Sequence, residues 1–195
     1  MDEALSNGDA KAADDIRYER YCESKKDKAK SPKSREEWDK LKETIKNNNT
    51  AGYKNEPIGR DSLREYLDMG ENKLKNTNSN GDIDTYTLDG KTVRPDSVAR
   101  NSNGEREIVH DHKHFLGGKD QVLYNTNQIK IETKMVEAKN GKHIITMSSD
   151  APNLNGIPPQ PRPSKNISST VYYTDISTGK ITHKWSKELM KWIKV

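Results

Sequence analysis

The stretch Arg94–Phe115, RPDSVARNSNGEREIVHDHKHF, decides how the chain is read. Two runs of strand composition, Asp96–Arg100 and Glu105–Phe115, flank a turn around Asn103-Gly104, and so tight a turn pairs its arms antiparallel. Side chains alternate along a strand, so Asp111 and Lys113 project from one face and Asp96, at the start of the partner strand, lies beside that face. Two carboxylates and an ammonium next to Val98 and Val109 make a poor core, because buried charge is costly. They suit a divalent cation: Mg²⁺ takes carboxylate oxygens and keeps several waters. Such an ion lowers the pKa of a bound water and neutralises charge growing on a scissile phosphate. A lysine alongside orients that water or acts as a point charge. His110, His112 and His114 fall on the opposite face. Their i, i+2, i+4 spacing fits a zinc or other transition-metal site, and it equally fits histidines satisfied by sheet neighbours and backbone.

Outward from this stretch the pattern keeps changing period. Asp61 can cap a helix over Ser62–Leu74, with Leu63, Tyr66, Leu67 and Leu74 on its apolar face. Runs Ile83–Leu88 and Lys91–Val93 flank Asp89-Gly90, a hairpin dipeptide. Gly117-Gly118 ends the long strand. Asp120 can cap a helix from Gln121 to Ala138, with Val122, Ile129, Met135 and Val136 as apolar positions, and Asn140-Gly141 stops it before a strand over Lys142–Ser148. Residues Pro152 to Pro163 hold five of the eight prolines and predict an extended surface crossing. Thr170–Ile176 and Lys180–Trp185 form a hairpin across Thr178-Gly179, and Leu189, Trp192 and Ile193 predict a closing amphipathic helix.

In front, Asp9–Lys30 reads as a helix broken at Ser31-Pro32. Ser34 and Glu37 form a capping box for a second helix with Trp38, Leu41 and Ile45, ending in Asn47-Asn48-Asn49-Thr50. The expected class is α+β: a helix, a three-stranded antiparallel meander, a helix and a strand. The expected division is a helical lead over 1–55, a core over 56–150, and an extension over 151–195 packed on the core.

Charged residues are 33% of the 195 and hydrophobic ones 30%, so the core is small. No run approaches the ~18 apolar residues of a membrane span, and no basic-then-apolar leader opens the chain. The single cysteine, Cys22, excludes an internal disulfide framework and a cysteine zinc site. Ser148-Ser149-Asp150 lacks a histidine at hydrolase spacing, and there is no phosphate-cradling glycine loop. From Ala151 onward seven bases stand against two acids, which fits either a solvated surface or a polyanion footprint.

Pro95-Asp96 followed by Asp111-His112-Lys113 resembles the PD-(D/E)XK nuclease signature, and the element order from Asp61 to Ser149 resembles that family's restriction-endonuclease-like core. The resemblance implies a metal-dependent endonuclease using Mg²⁺ or Mn²⁺, with Asp96 and Asp111 as metal ligands and Lys113 beside them. It also implies an acidic residue from the first helix, Glu65 or as second choice Glu56, and polar groups from the helix after the motif, Gln128 and Gln121. The charged, alanine-containing lead with RYERY and SREEW resembles the region before C-terminal toxin domains of bacterial polymorphic toxins of Rhs, LXG or contact-dependent type. That likeness implies a piece of a longer secreted effector acting in the target-cell cytoplasm on nucleic acid, DNA favoured and transfer RNA possible, with a cognate acidic immunity protein as partner. Two alternatives share the same residues. Asp111-His112 with Gly117-Gly118 and Asn125 or Asn127 resembles an HNH nuclease with His112 as general base and His143 or Asn140 as the remaining ligand. The other is a non-catalytic module that binds a polyanion or a protein.

Overall fold

The computed structural model describes residues 10–78, 80–117, 121–137, 140–151 and 159–195. The expected cap Asp9, Gly118 of the strand end, the expected cap Asp120, Ala138, and the first prolines of the proline-rich segment lie outside them.

The chain divides between Asn47 and Asn48. In the first unit, helix α1 (Ala10–Lys26) is polar almost all round and buries only Ala13. Arg35 pairs with Asp14 and Asp15, each at 2.6 Å, and Tyr21 stacks on Trp38 with ring centroids 4.3 Å apart. Such exposed pairs are worth about 0–1 kcal/mol each. The capping box forms as expected: the Ser34 amide donates to Glu37 at 2.9 Å and the Glu37 amide to Ser34 Oγ at 3.3 Å.

The helix that starts there does not stop at the asparagines. Helix α2 runs unbroken from Arg35 to Tyr66, so the two expected helices are one, and Leu74 lies beyond it at positive φ. It passes through Pro57, which has no N–H to donate to the Tyr53 carbonyl four residues back. Just before it, the Asn55 side-chain amide donates to the Ala51 carbonyl at 2.8 Å.

The second unit is built on a six-stranded mixed sheet. Its strands are β3 (Ser97–Arg100), β4 (Arg106–Phe115), β6 (Lys142–Ser149), β8 (Thr170–Asp175), β9 (Lys180–Ser186) and β10 (Lys191–Lys194), in the order β10-β9-β8-β6-β4-β3. Strands β4, β6 and β8 are mutually parallel and the remaining pairs antiparallel. Helix α3 (Asn127–Glu137) makes the crossover that a parallel β4–β6 pair requires. The α+β class therefore holds.

Several elements differ from expectation. The hairpin β1 (Tyr86–Leu88) and β2 (Lys91–Val93) forms across Asp89-Gly90 but stays a separate two-stranded sheet, so β3 and β4 are not part of a three-stranded meander. Buried Pro95 cannot donate to a ladder, and the outer edge of β3 is met instead by Lys75, bridged to Val98. Asp84, almost fully buried, anchors this region through Arg100 and Arg106. Helix α3 starts two turns late, with Thr126 as its cap, because Val122–Leu123 (β5) pairs with Arg162–Pro163 (β7). Gln121 and Gln128 thus share no helix face. The prolines of the described part pack inward, and Trp192 donates its indole N–H to the Pro161 carbonyl at 2.9 Å. The terminal segment is a strand, not a helix: Trp192 pairs with Trp185 and both sink into the core. Three strands of the expected extension, β8, β9 and β10, thus belong to the core sheet, while β7 pairs apart from it with β5.

The sheet has two covered faces. On one, Leu63 of α2 packs with Ala99, Ile108, Ile144 and Tyr172. On the other, Ile131, Met135 and Val136 of α3 pack with Val98 and Val109, and Ile129 with Ile145, Met147, Val171 and Tyr173. The α2 crossing is close. A Cβ on Gly59 would lie 2.0 Å from His112 Nδ1, whereas one on Gly52 would meet nothing within 4 Å. The same substitution in one helix should therefore change sign. Gly52→Ala is expected to stabilise by about 0.5–1 kcal/mol through helix propensity. Gly59→Ala is expected to destabilise by about 1–3 kcal/mol through overpacking. Urea unfolding midpoints at unchanged slope measure both.

Candidate active site

Alternation along β4 sorts its polar groups onto two faces. Toward α2, His110, His112 and His114 interleave with hydroxyls of the neighbouring strands. Ser97 Oγ lies 2.8 Å from His110 Nδ1, and Thr146 Oγ1 lies 2.8 Å from both His110 Nε2 and His112 Nδ1. Ser148 Oγ then lies 3.0 Å from His112 Nε2 and 2.9 Å from His114 Nδ1. Hydroxyls can donate one bond and accept others, so this ladder satisfies neutral imidazoles. Burial, reinforced by His114, pushes the His112 pKa down to about 3, and burial holds His110 well below its ordinary value. Both nitrogens of His110 and of His112 are thus engaged. Among the described residues no group of three or more His, Cys, Asp or Glu side chains has metal-binding geometry, so the zinc expectation for the three histidines finds no support.

Toward α3 stand Asp111 and Lys113. Asp111 is fully buried, and Lys113 Nζ lies 2.6 Å from its Oδ2. The β3–β4 register sets Ser97 opposite His110, so Asp96, one residue earlier, falls beside Asp111. Its Oδ2 accepts the His112 backbone N–H at 2.6 Å. Burial and then the Asp111 charge push the Asp96 carboxyl up to about 8, against the opposing pull of Lys113 and the His112 amide. Burial works against the Lys113 ammonium, but Asp111 and Asp96 outweigh it and hold its pKa above the ordinary lysine value. The sequence reading of these three residues as neighbours on one face matches their placement.

Helix α3 supplies a second layer. Gln128 Nε2 donates to Glu132 Oε1 at 2.9 Å and reaches Asp111 Oδ1 at 3.4 Å. Glu132 is fully buried, with His143 Nε2 3.3 Å from its Oε2, and His143 Nδ1 lies 2.7 Å from Ser169 Oγ. Burial, and beyond it Asp111, raises the Glu132 pKa, while His143 and Gln128 pull it down. Sequence reasoning missed Glu132. Its signal was available: an acid flanked at helical spacing by Ile129, Met135 and Val136, and four residues after Gln128.

Part of this set opens into a cleft of about 380 Å³, with buried Asp111 and Glu132 behind its lining. Asp96, His112, Lys113 and His114 form one side, Gln128 contributes from α3, and Asn48, Asn49, Gly52, Tyr53 and Glu56 of α2 form the wall. Glu56 lines it and Glu65 does not. Nine positions on, Glu65 is about two and a half turns and roughly 14 Å along the axis, hence on the opposite side of the helix. There it is exposed and 3.7 Å from Lys180. A cavity of about 450 Å³ among β8–β10 is lined by Ser169, Lys184, Trp185 and Lys187, among others, and holds no carboxylate pair.

The shifted groups set a pH dependence of stability. An acid whose folded pKa is raised stabilises the fold fully below its unfolded value near 3.9, and that contribution is lost as pH rises through the folded value, here about 8. The depressed histidines act oppositely: their contribution is present above about 6.5 and lost as pH falls toward about 3. Stability should therefore decline above pH 6.5, with Asp96 adding a slope of at most about 1.4 kcal/mol per pH unit. Asp96→Asn is expected to flatten that decline between pH 6.5 and 8, as read from urea unfolding at a series of pH values. An unchanged slope would show that Asp96 is not raised.

No protein-family model matches the chain, and comparison with curated proteins and with solved structures yields no significant match.

Proposed function

We propose that the chain is a metal-dependent phosphodiesterase that hydrolyses nucleic acid on a restriction-endonuclease-like core. What carries the reading is the meeting of Asp96, Lys113 and, directly behind them, fully buried Asp111 at the edge of one cleft, with Asp96 pushed up to about 8 by burial and its neighbour's charge. A binding module for phosphates has no use for two facing carboxylates. The order α2, β3, β4, α3, β6 also agrees with the resemblance, save that β1 and β2 stand outside the sheet.

The residues fit a divalent cation. Asp111 Oδ2 is buried without a well-oriented hydrogen bond, and two carboxylates face a single ammonium. Asp96 and Asp111 would hold the ion, with water or phosphate oxygens as its other ligands. When bound, the ion would supply Lewis-acid stabilisation of the phosphate and acidify water. Lys113, kept cationic by its two carboxylates, orients the attacking water or steadies charge on the phosphate. Gln128 fixes the Asp111 carboxylate by donating to it. Glu56, on the opposite wall, is the acidic contribution from the first helix. DNA is favoured by the resemblance alone, and RNA is the alternative.

The HNH reading is less well supported. His112 and its expected partner His143 lie on opposite faces of the sheet. A base with a pKa near 3 is also poorly matched to neutral pH. The toxin reading and its acidic immunity partner rest on the likeness of the lead, together with the basic segment after Ala151 as a surface that an acidic protein would seek.

Purified protein incubated with plasmid and with total RNA should cleave one of them with Mg²⁺ or Mn²⁺ and lose activity in excess chelator. Asp96→Asn, Asp111→Asn and Lys113→Ala should each lower the rate by 10²-fold or more. His112→Ala should cost stability through the ladder but retain more activity per folded molecule, with the folded fraction taken from circular dichroism. Full activity in chelator would overturn the mechanism. In cells, the wild-type chain should arrest growth, and co-expression of an acidic protein encoded beside it should restore growth and co-purify one to one. Normal growth of cells making active protein alone would remove the toxin reading.

A further inference from the structure

Helix α2 leaves a tyrosine uncovered at the cleft. Tyr53 is 73% exposed although it lines a concave surface, so a ring able to bury some 150–250 Å² has its face free. The residue before it is Gly52, which also lines the cleft, and a Cβ there would meet nothing within 4 Å. The space over Gly52, on the same wall as Tyr53, is therefore open. Asn48 and Asn49, exposed one turn earlier, offer amide donors and acceptors. Lys113 stands at the carboxylate end, and Lys54, next to Tyr53, acts electrostatically on His114 in the same cleft.

We propose that this cleft takes one unpaired nucleotide beside the scissile phosphate, with its base stacked on Tyr53 and its edge met by Asn48 and Asn49. The inference rests on the phosphodiesterase reading and names its substrate class: single-stranded, looped or bulged nucleic acid rather than uniform duplex. A base inside a duplex has both faces covered by its neighbours and reaches an aromatic side chain only when extruded or unpaired. A volume of about 380 Å³ is at the small end of ligand pockets, suited to one nucleotide and too small for a stacked pair of base pairs. Stacking tolerates any base, so selectivity here is for unpaired structure before sequence.

The test uses the full chain with matched DNA and RNA oligonucleotides that are single-stranded, fully paired or carry one bulged nucleotide. Wild type should cut the unpaired forms faster. Tyr53→Ala should raise KM on them about 5- to 150-fold, the usual worth of one stacked base. Tyr53→Phe and Tyr53→Trp should restore it. Tyr124→Ala, at a tyrosine 69% exposed that does not line the cleft, should match wild type. Replacing the bulged nucleotide by an abasic one should cost wild type at least the same factor, since it also removes the edge contacts with Asn48 and Asn49, and should cost Tyr53→Ala less than it costs wild type, because the stacking contact can be lost only once. Gly52→Leu should fill the space and lower cleavage at least 10-fold without loss of urea stability. If wild type cuts duplex as fast as unpaired forms, or Tyr53→Ala cuts like wild type, the stacking inference fails and the nuclease reading stands. If Tyr53→Ala weakens only an acidic protein partner, the ring is an anchor for that protein and the inference fails likewise. If wild type cuts nothing with any divalent ion, the reading beneath it fails.

Discussion

A strand buried on both faces cannot carry imidazole or charge without partners, and β4 carries both. Its register against β6 decides how each face is met. His112 and His114 lie opposite Thr146 and Ser148, so the sheet itself provides hydroxyls for the histidine face. Asp111 and Lys113 lie opposite Ile145 and Met147, which provide nothing. The charged face must therefore be satisfied by its own ion pair, by Asp96 from β3 and by Gln128 from α3. The histidine row is satisfied within the sheet, and the charged row depends on groups from outside it, with both rows reaching the cleft through His112, His114 and Lys113.

The energetic contrast follows. Each imidazole–hydroxyl contact exchanges water for a neutral partner, worth about 1 kcal/mol net. The row rigidifies the sheet and keeps the histidines uncharged. On the other face, burial and then the neighbouring Asp111 charge push Asp96 up to about 8, and the one lysine the two carboxylates share only partly offsets this. Proteins retain such frustration where a ligand relieves it, and anything that binds only the folded state returns that energy as stability. Glu132 extends the same field into the interior, with His143 beside it.

The alternation that places Asp111 and Lys113 on one face is visible in five residues, because period two survives every tertiary context that keeps a strand. The capping box at Ser34 and the Asp89-Gly90 turn were legible for the same reason: their chemistry is local. What misled was also local. The polar run Asn47–Thr50 argues for a helix end, yet α2 continues through it and through Pro57, since packing of Gly59, Ser62 and Leu63 on the sheet outweighs weak propensity. Leu189, Trp192 and Ile193 have helical spacing, but five residues cannot separate a period of 3.6 from a strand whose Trp192 pairs with Trp185. The choice between Glu56 and Glu65 depended on the helical phase, which the assumed break at Asp61 had erased.

That phase links the two faces of β4. Gly59 is held against His112 so closely that no side chain fits between them, which fixes both the rotation and the height of α2 over the sheet. Glu56 is one turn before Gly59, Gly52 and Tyr53 are about two turns before it, and Asn49 about three. The histidine ladder sets where His112 sits, His112 sets where α2 sits, and α2 sets how far the Glu56 carboxylate and the Tyr53 ring stand from Asp96 and Lys113. The uncharged row thus acts on the cleft as a ruler: His112 and His114 reach its lining, and a change in their packing, or in that of His110 behind them, would move the opposite wall.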